Sequence, residues 1–334
     1  RRAPGALRRR SPGDRAGRLV ASFGNKDFRE IHGQVGDTFG QTGFIAHGTY
    51  KETDGARENM HFEVGDINLK AVHELSEQQA VTVRASYYDE TSQVTYSGLT
   101  LAEWQADPYQ NPFRNDEMDA QRFGTSVTHR FALSPAVTFT TNAYYTYFNR
   151  DWWRQSSNSA QRPNDASDPV CAGMANLLTT CGNEGRLRQF WTAGLEPRVS
   201  MQHGLFGVDN VAEAGIRYHF EDQFRIQANG DTPTARDPGT GRNAGIREDS
   251  DRTVEAMSAF VQNRFDFGRW TVTPGVRFEH VDYERTDNLT GATGESTVDE
   301  VIPGIGATFE ALPETVLFAG VHRGFAPPGV ADIV

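Results

Sequence analysis

Apolar and polar residues alternate along most of the chain with a period of two, the spacing of a β-strand that has one apolar and one polar face. In residues 80–87, Val81 and Val83 lie on one face and Thr82 and Arg84 on the other. No segment has a convincing helical period of about 3.6 residues. The alternation predicts thirteen strands, near residues 18–23, 28–38, 42–53, 58–74, 79–94, 117–133, 136–150, 188–203, 206–220, 250–267, 270–285, 298–310 and 315–326.

The connections between these predicted strands alternate in length. The short ones include 134–135, 204–205 and 268–269. The alternate set is mostly long and polar, at 95–116, 151–187, 221–249 and 286–297, with two brief early members at 24–27 and 54–57. Because consecutive antiparallel strands place every second connection at the same edge, the long segments gather at one end of the sheet. A soluble sandwich, with strands of about 5 to 6 residues, does not sort its loops in this way. A transmembrane β-barrel has long strands, short turns on one side and long loops on the other.

Composition fits that interpretation. The chain has 37% hydrophobic residues, 23% charged residues and a mean hydropathy of −0.58, and it contains no run of about 18 apolar residues. A helical membrane protein is therefore excluded, whereas a barrel with one polar strand face is compatible. Aromatic residues near strand ends, such as Tyr87, Tyr145 and Trp270, are candidates for the interfacial girdles of a barrel. The net charge of −11 argues against nucleic acid as a partner.

The first residues differ from the rest of the chain. Residues 1–18 hold seven Arg and one acid, so the remainder carries 26 basic and 43 acidic side chains. Residues 1–17 have no apolar period and no signal-peptide core, and we interpret them as a disordered Arg-rich head that is an artefact of the reading frame or of a fragment. A basic interaction arm is the alternative.

The two cysteines, Cys171 and Cys181, lie in one polar loop. This arrangement favours a local disulfide and therefore an oxidising compartment. Two free thiols are the alternative, whereas a zinc site would need further ligands nearby.

No catalytic motif stands out in the sequence. A nucleophile elbow, a P-loop, a zinc-protease motif and EF-hand spacing are all absent. The nine histidines are scattered along the predicted strands, and paired acids such as Asp89 and Glu90 fall at loop edges. We therefore predict a protein that is not an enzyme and that has no resident metal and no cofactor.

Four segments resemble a known family. They are residues 23–40, the loop segments 96–100 and 107–116, the hairpin 259–279 and residues 318–328, which include Arg323-Gly324-Phe325-Ala326-Pro327-Pro328. Together they resemble TonB-dependent outer-membrane receptors, and within that family they are most similar to the ferric dicitrate and siderophore receptors. The resemblance covers residues 18–334.

The resemblance implies a roughly 22-stranded barrel in the bacterial outer membrane, plugged by an N-terminal domain. We expect residues 18–334 to be about thirteen strands of such a barrel, without the plug and the last strands. The implied function is uptake of a ferric chelate, with the TonB energy-coupling complex acting through the plug and with lipid and lipopolysaccharide around the barrel. A receptor for a saccharide or cobalamin, and a passive porin or adhesin, remain alternatives.

An anionic chelate suggests where the ligand would bind. The planar guanidinium of Arg matches a carboxylate with two parallel hydrogen bonds. The chain has 30 Arg and three Lys, a bias that a GC-rich genome would also produce. The candidate arginines are Arg84, Arg114, Arg122, Arg154, Arg188, Arg217 and Arg247, and the candidate aromatic and amide residues are Trp104, Tyr109, Gln110, Asn111, Trp152 and Trp153. A structural role is the alternative for each of them.

Overall fold

The computed structural model describes residues 15–93, 95, 98–111, 113–154, 183–232, 234–241 and 244–326. These residues form one antiparallel sheet of thirteen strands, in which each strand pairs with its neighbours in sequence. The all-β prediction and the strand count are confirmed. The strands are β1 Ala16–Phe23, β2 Arg29–Phe39, β3 Thr42–Thr53, β4 Phe62–Glu74, β5 Gln79–Ser92, β6 Glu117–Ala132, β7 Val137–Arg154, β8 Glu184–Leu205, β9 Val208–Asn229, β10 Gly245–Phe267, β11 Trp270–Asp287, β12 Ala292–Leu312 and β13 Thr315–His322. Cys171 and Cys181 lie outside the described residues.

The long loops lie at one edge of the sheet, as the sequence predicts, but the predicted long loop 286–297 is wrong: β11 runs to Asp287 and β12 begins at Ala292, so residues 288–291 form a short turn at that edge. One prediction about a turn is wrong, because β8 continues through Gly204 and Leu205, and the turn to β9 is formed by Phe206 and Gly207. Both turn residues have a positive φ, 56° and 75°. A two-residue hairpin turn needs this conformation, and Gly207 adopts it without steric cost.

Several strands are longer at the loop edge than the sequence predicts. β9 runs to Asn229 rather than to residue 220, β10 begins at Gly245 rather than at 250, and β12 begins at Ala292 rather than at 298. The added starts of β10 and β12 have few apolar residues and give no clear alternation, whereas in the added end of β9 Phe224, Ile226 and Ala228 do alternate with polar residues. The ladder hydrogen bonds of the neighbouring strands extend them nevertheless.

One face of the sheet, here called the apolar face, carries exposed aliphatic and aromatic side chains. Ile67, Val83, Phe123 and Leu195 are examples, each more than 40% exposed. Towards the loop edge this face becomes polar, and at that level the Tyr87 hydroxyl donates a 3.0 Å hydrogen bond to Asp89. A lipid-facing apolar band that ends in aromatic and then charged residues is the pattern of a membrane boundary.

The opposite face, here called the polar face, is held together by contacts that cross strands. The Tyr144 side chain of β7 lies over Gly194 of β8 and reaches His219 of β9, whose Nδ1 is 2.6 Å from the tyrosine oxygen. A Cβ on Gly194 would lie 2.3 Å from that oxygen. The absence of a side chain at Gly194 is therefore what permits this contact.

The loop between β5 and β6 contains α1, Leu101–Ala106, which the sequence analysis did not predict. The Thr100 hydroxyl accepts a hydrogen bond from the Glu103 backbone N–H, and the Glu103 carboxylate accepts one from the Thr100 backbone N–H. This reciprocal capping box stabilises a helix too short to show an apolar period. Among the described residues, no helix is long and apolar enough to cross a membrane.

Candidate functional site

Three arginines lie side by side on the polar face near the loop edge. In the strand register Arg150 of β7 is opposite Arg188 of β8, which is in turn opposite Arg225 of β9. Like charges directly opposite each other on one sheet face are destabilising. Repulsion within this row therefore lowers the stability of the unliganded sheet.

Four further arginines surround that row. Arg252 of β10 and Arg285 of β11 are opposite each other in the register. Charge–charge interactions link Arg154 and Arg186 to Arg150, and Arg252 and Arg285 to Arg225. Within the described part of the chain we define the arginine cluster as these seven residues: Arg150, Arg154, Arg186, Arg188, Arg225, Arg252 and Arg285.

Two glutamates form ion pairs with four members of the arginine cluster. Glu184 binds Arg154 at 2.9 Å and also contacts Arg186, while Glu248 lies 3.4 Å from Arg225 and 3.1 Å from Arg252. In a chain of net charge −11, this concentration of guanidiniums marks a local region suited to anions.

Some donors of the arginine cluster are buried without a partner. The Nε atoms of Arg150, Arg188 and Arg252 are out of contact with solvent and have no hydrogen-bond acceptor among the described residues. An unsatisfied buried donor costs about 1–3 kcal/mol, and more when the group is charged. An anionic ligand with several oxygens would satisfy these donors.

An aromatic ring orders part of the arginine cluster. Trp152 lies between two guanidiniums of the same strand, with that of Arg150 5.7 Å and that of Arg154 4.9 Å from its ring. Arginine stacks on aromatic faces, and this stacking fixes the plane of the guanidinium. Guanidinium N–H groups held in this way are oriented in advance for hydrogen bonds to a rigid ligand.

The structure brings three of the predicted site residues together, namely Arg154, Arg188 and Trp152. Trp153 is 6% exposed and lies on the other side of β7, where the guanidinium of Arg236 is 6.0 Å from its ring. Arg247 is exposed at an irregularity in the β9–β10 register.

The remaining predicted arginines lie elsewhere. Arg84, Arg122 and Arg217 lie on the polar face at greater distance from the loop edge, where Arg217 donates a 3.2 Å hydrogen bond to the Tyr144 hydroxyl and Arg122 stacks on Tyr88. Arg114 is exposed in the loop between β5 and β6. These placements do not test a role in binding, which stays a prediction for each of them.

The predicted loop residues divide into exposed and buried groups. Trp104 and Tyr109 are 54% and 59% exposed, and the Lys26 ammonium lies 5.1 Å from the Tyr109 ring. Gln110 donates to the Glu103 carbonyl within its own loop. Asn111 is 2% exposed, and it donates to the Asn59 carbonyl and accepts from the Phe113 amide. Its side chain thus fastens this loop to its neighbour.

Sequence reasoning missed five members of the arginine cluster: Arg150, Arg186, Arg225, Arg252 and Arg285. The signal that could have found them is strand register. Each lies in a segment that was predicted as loop or as a strand end, and only pairing of the extended strands brings the side chains together.

Comparison with known proteins places this geometry in context. A family model described as TonB dependent receptor-like, beta-barrel, matches residues 33–334. The ferric citrate transporter FecA, in its unliganded form, is similar in fold with a TM-score of 0.77, 20% identity and coverage of 94% of this chain and 45% of that chain.

Two further solved structures have the same fold. The ferric-catecholate import receptor Fiu of E. coli K12 aligns with a TM-score of 0.74 at 10% identity, over 95% of this chain and 55% of that chain. The pyoverdine receptor FpvA of Pseudomonas aeruginosa PAO1 aligns with a TM-score of 0.72 at 12% identity, over 93% and 46%. The chain thus spans about half the length of the receptors it matches.

Proposed function

Because this chain belongs to the TonB-dependent receptor β-barrel family of outer-membrane proteins, we propose that it forms part of the wall of a receptor that takes up an anionic ferric chelate. Ferric citrate or a related carboxylate siderophore is the substrate class. The observation that carries this proposal is the row formed by Arg150, Arg188 and Arg225, in which the buried Nε donors of Arg150 and Arg188 have no acceptor among the described residues.

The position of the arginine cluster supports a role in capture. It lies near the loop edge of the sheet, where β7 and β9 end and where β8 and β10 begin. A ligand that arrives between the loops would meet the guanidiniums before the membrane-embedded part of the wall. Guanidinium forks match carboxylate geometry, and partial burial strengthens such charged contacts.

The alternatives are less well supported by these residues. A saccharide or cobalamin has no array of carboxylates to match the row of Arg150, Arg188 and Arg225, although aromatic residues such as Trp104 and Tyr109 could contact either ligand. Membership of the receptor family favours active uptake over a passive porin or an adhesin. For the whole protein we propose that the TonB complex drives uptake through a plug domain, and that lipid and lipopolysaccharide surround the apolar face.

The test is equilibrium binding to the protein as the cell produces it, purified in detergent. Ferric citrate, vitamin B12 and a maltooligosaccharide would be titrated into the wild type and into Arg188→Gln. We expect ferric citrate to bind and the substitution to weaken binding by about tenfold or more, since a charge-assisted hydrogen bond is lost.

Arg264→Gln is the matched control, because Arg264 lies on β10 twelve residues below Arg252, near the turn edge of the same face. It removes the same charge and should leave binding of ferric citrate within about twofold. Preferential binding of either neutral ligand, or an unchanged affinity in Arg188→Gln, would refute the proposal.

A further inference from the structure

Two histidines approach each other across β2 and β3 on the polar face. In the strand register His32 is opposite Thr49 and Gln34 is opposite His47, so the two imidazoles are diagonal neighbours on one face. Their ring centroids are 6.0 Å apart, and the ring planes are tilted by 46°. We call His32 and His47 the histidine pair. It lies on strands far from β7–β11, which carry the arginine cluster.

The His32 imidazole is oriented by a hydroxyl group of the next strand. Its Nδ1 is 2.8 Å from the Thr49 hydroxyl oxygen. In the tautomer that carries the proton on Nδ1, the ring donates this hydrogen bond, and the lone pair of Nε2 remains for another partner. Histidines that bind metal ions are commonly held in this way, with one ring nitrogen bonded to the protein and the other to the metal.

The His47 imidazole is open to the lumen side of the sheet. It is half-buried, and no residue that the structure describes forms a hydrogen bond with its ring. His47 lines a cavity of about 570 Å³, and the amide side chains of Gln34 and Asn68, its partners in the register, line the same cavity. A hydrated ion can therefore reach the ring nitrogens of His47.

The separation of the two rings is compatible with one shared metal ion. Such an ion binds an imidazole nitrogen at about 2.0–2.1 Å, so two imidazoles on the same ion bring their ring centroids to roughly 4.5–6 Å. The observed distance of 6.0 Å is at the upper end of that range. Small rotations of the two side chains would close the site without a shift of the backbone.

Charges of both signs surround the histidine pair. The nearest acids in the register of the polar face are Glu30 and Asp66, and the nearest cations are Arg18, Lys51 and Lys70. The Lys51 ammonium lies 5.4 Å and 5.6 Å from the centres of two aromatic rings, and Lys70 has an interaction of its own. Because these charges largely balance, the directed lone pairs of the two rings decide which ligand binds.

We propose that the histidine pair binds a divalent transition-metal ion, with Cu(II) held more tightly than Ni(II) or Zn(II). Imidazole is a preferred ligand for these metals, and their affinities for nitrogen sites follow that order. Nε2 of His32 and one ring nitrogen of His47 bind the ion, and water or the Gln34 amide oxygen completes its coordination. The inference does not depend on uptake of a ferric chelate, because it concerns a free cation on another part of the wall. It departs from the sequence-based prediction of no resident metal, which considered each histidine singly.

The test is titration of Cu(II) chloride into the tag-free protein as the cell produces it, purified in detergent and treated with EDTA, with detection by electron paramagnetic resonance at neutral pH. The wild-type spectrum should show hyperfine coupling to two imidazole nitrogens. His47→Gln should weaken binding at this site by about 100-fold or more, because one metal–nitrogen bond is lost. Thr49→Val keeps both rings and should weaken binding by about tenfold, because the His32 ring is no longer oriented.

His73→Gln is the matched control. His73 of β4 makes the same local contact as His32, since its Nδ1 is 2.8 Å from the hydroxyl oxygen of Thr42 on the neighbouring strand. Within the part of the chain that the structure describes, however, the histidine pair is the only case of two imidazoles in ring contact. Removal of the His73 imidazole should therefore leave Cu(II) binding within about twofold of the wild type.

The outcomes decide the inference as follows. Equal Cu(II) affinity in the wild type and in His47→Gln overturns it, and so does a wild-type spectrum with oxygen ligands alone. Thr49→Val with the affinity of the wild type also overturns it, since His32 would then not bind through Nε2. Equal losses in His73→Gln and His47→Gln would mean that no particular pair binds the ion. If His47→Gln melts far below the metal-free wild type, the nitrogen count of the wild-type spectrum and the affinity of Thr49→Val decide.

Discussion

Arg150 and Arg188 lie directly opposite each other in the register of β7 and β8, with both side chains on the polar face. Arg225 extends this pairing to a third strand. Such a row lowers stability rather than raising it, since adjacent like charges repel. Under the proposed function, an anion bound at the loop edge would offset this repulsion.

Removal of one charge from the row should stabilise the unliganded protein. For Arg188→Gln we expect the free energy of unfolding to rise by about 0.2–1 kcal/mol, because repulsion by Arg150 and Arg225 is relieved. Thermal unfolding at low and at high salt measures this, and the gain should shrink as salt screens the charges. A clear loss of stability would mean that Arg188 serves the fold.

Gly194 should tolerate no side chain while Tyr144 lies across it. A Cβ at Gly194 would lie 2.3 Å from the tyrosine oxygen, so Gly194→Ala should displace the ring and cost about 1–3 kcal/mol. Chemical unfolding of the variant measures the cost. Gly65→Ala is the control, because a Cβ at Gly65 meets nothing within 4 Å. Equal effects at both positions would contradict this account of the contact.

The loop after β9 should loosen when its ion pair is broken. Arg236 in that loop binds Glu117 at the start of β6 at 2.7 Å and the Asn115 carbonyl at 3.2 Å. Glu117→Gln should raise the rate at which proteinase K cleaves the loop by about two- to fivefold, as expected for an exposed pair. Glu58→Gln in the loop between β3 and β4 should leave that rate unchanged. Equal rates in the two variants would show that the pair does not hold the loop.

Asp54 should titrate below the usual range. It lies in the loop between β3 and β4, where the hydrogen bond to His61, 3.0 Å long, lowers the pKa of the Asp54 carboxyl from its ordinary value of 3.8. A pKa that is lower in the folded than in the unfolded state gives stability that is present above pH 3.8 and is lost as the pH falls through the folded value.

Carbon-detected NMR titration of the Asp54 carboxyl measures this pKa. In the wild type the midpoint should lie below 3.8, and in His61→Ala it should move back towards 3.8. A midpoint that does not respond to the substitution would show that His61 is not the cause.

The strands and their number could be predicted from the sequence because each strand has an apolar face where it crosses the apolar band. The alternation in residues 80–87 is an example, and it recurs wherever the chain crosses the apolar band. The starts of β10 and β12 were misplaced because few apolar residues mark them, whereas residues 224–229 of β9 still alternate and this extension could have been predicted. Of the missed arginines, Arg225 and Arg186 lie in segments predicted as loop, and the others lie near the ends of predicted strands.

The candidate site was predictable only in part for the same reason. Arg154, Arg188 and Trp152 were selected because they lie beside a long loop, which is a local property. That Arg188 lies opposite Arg150 and Arg225 depends on register, which pairs residues 38 and 37 positions apart in the sequence. Likewise, nothing local distinguishes Asn111, a buried loop anchor, from an exposed amide that could contact a ligand.

Anomalous diffraction at the iron edge tests the central claim most directly. The crystals would contain the protein as the cell produces it, grown with ferric citrate. We expect an iron peak beside the arginine cluster, with chelate oxygens about 2.7–2.9 Å from the guanidiniums of Arg150 and Arg188. An iron peak distant from the cluster, or crystals saturated with ferric citrate that show no iron there, would contradict the account.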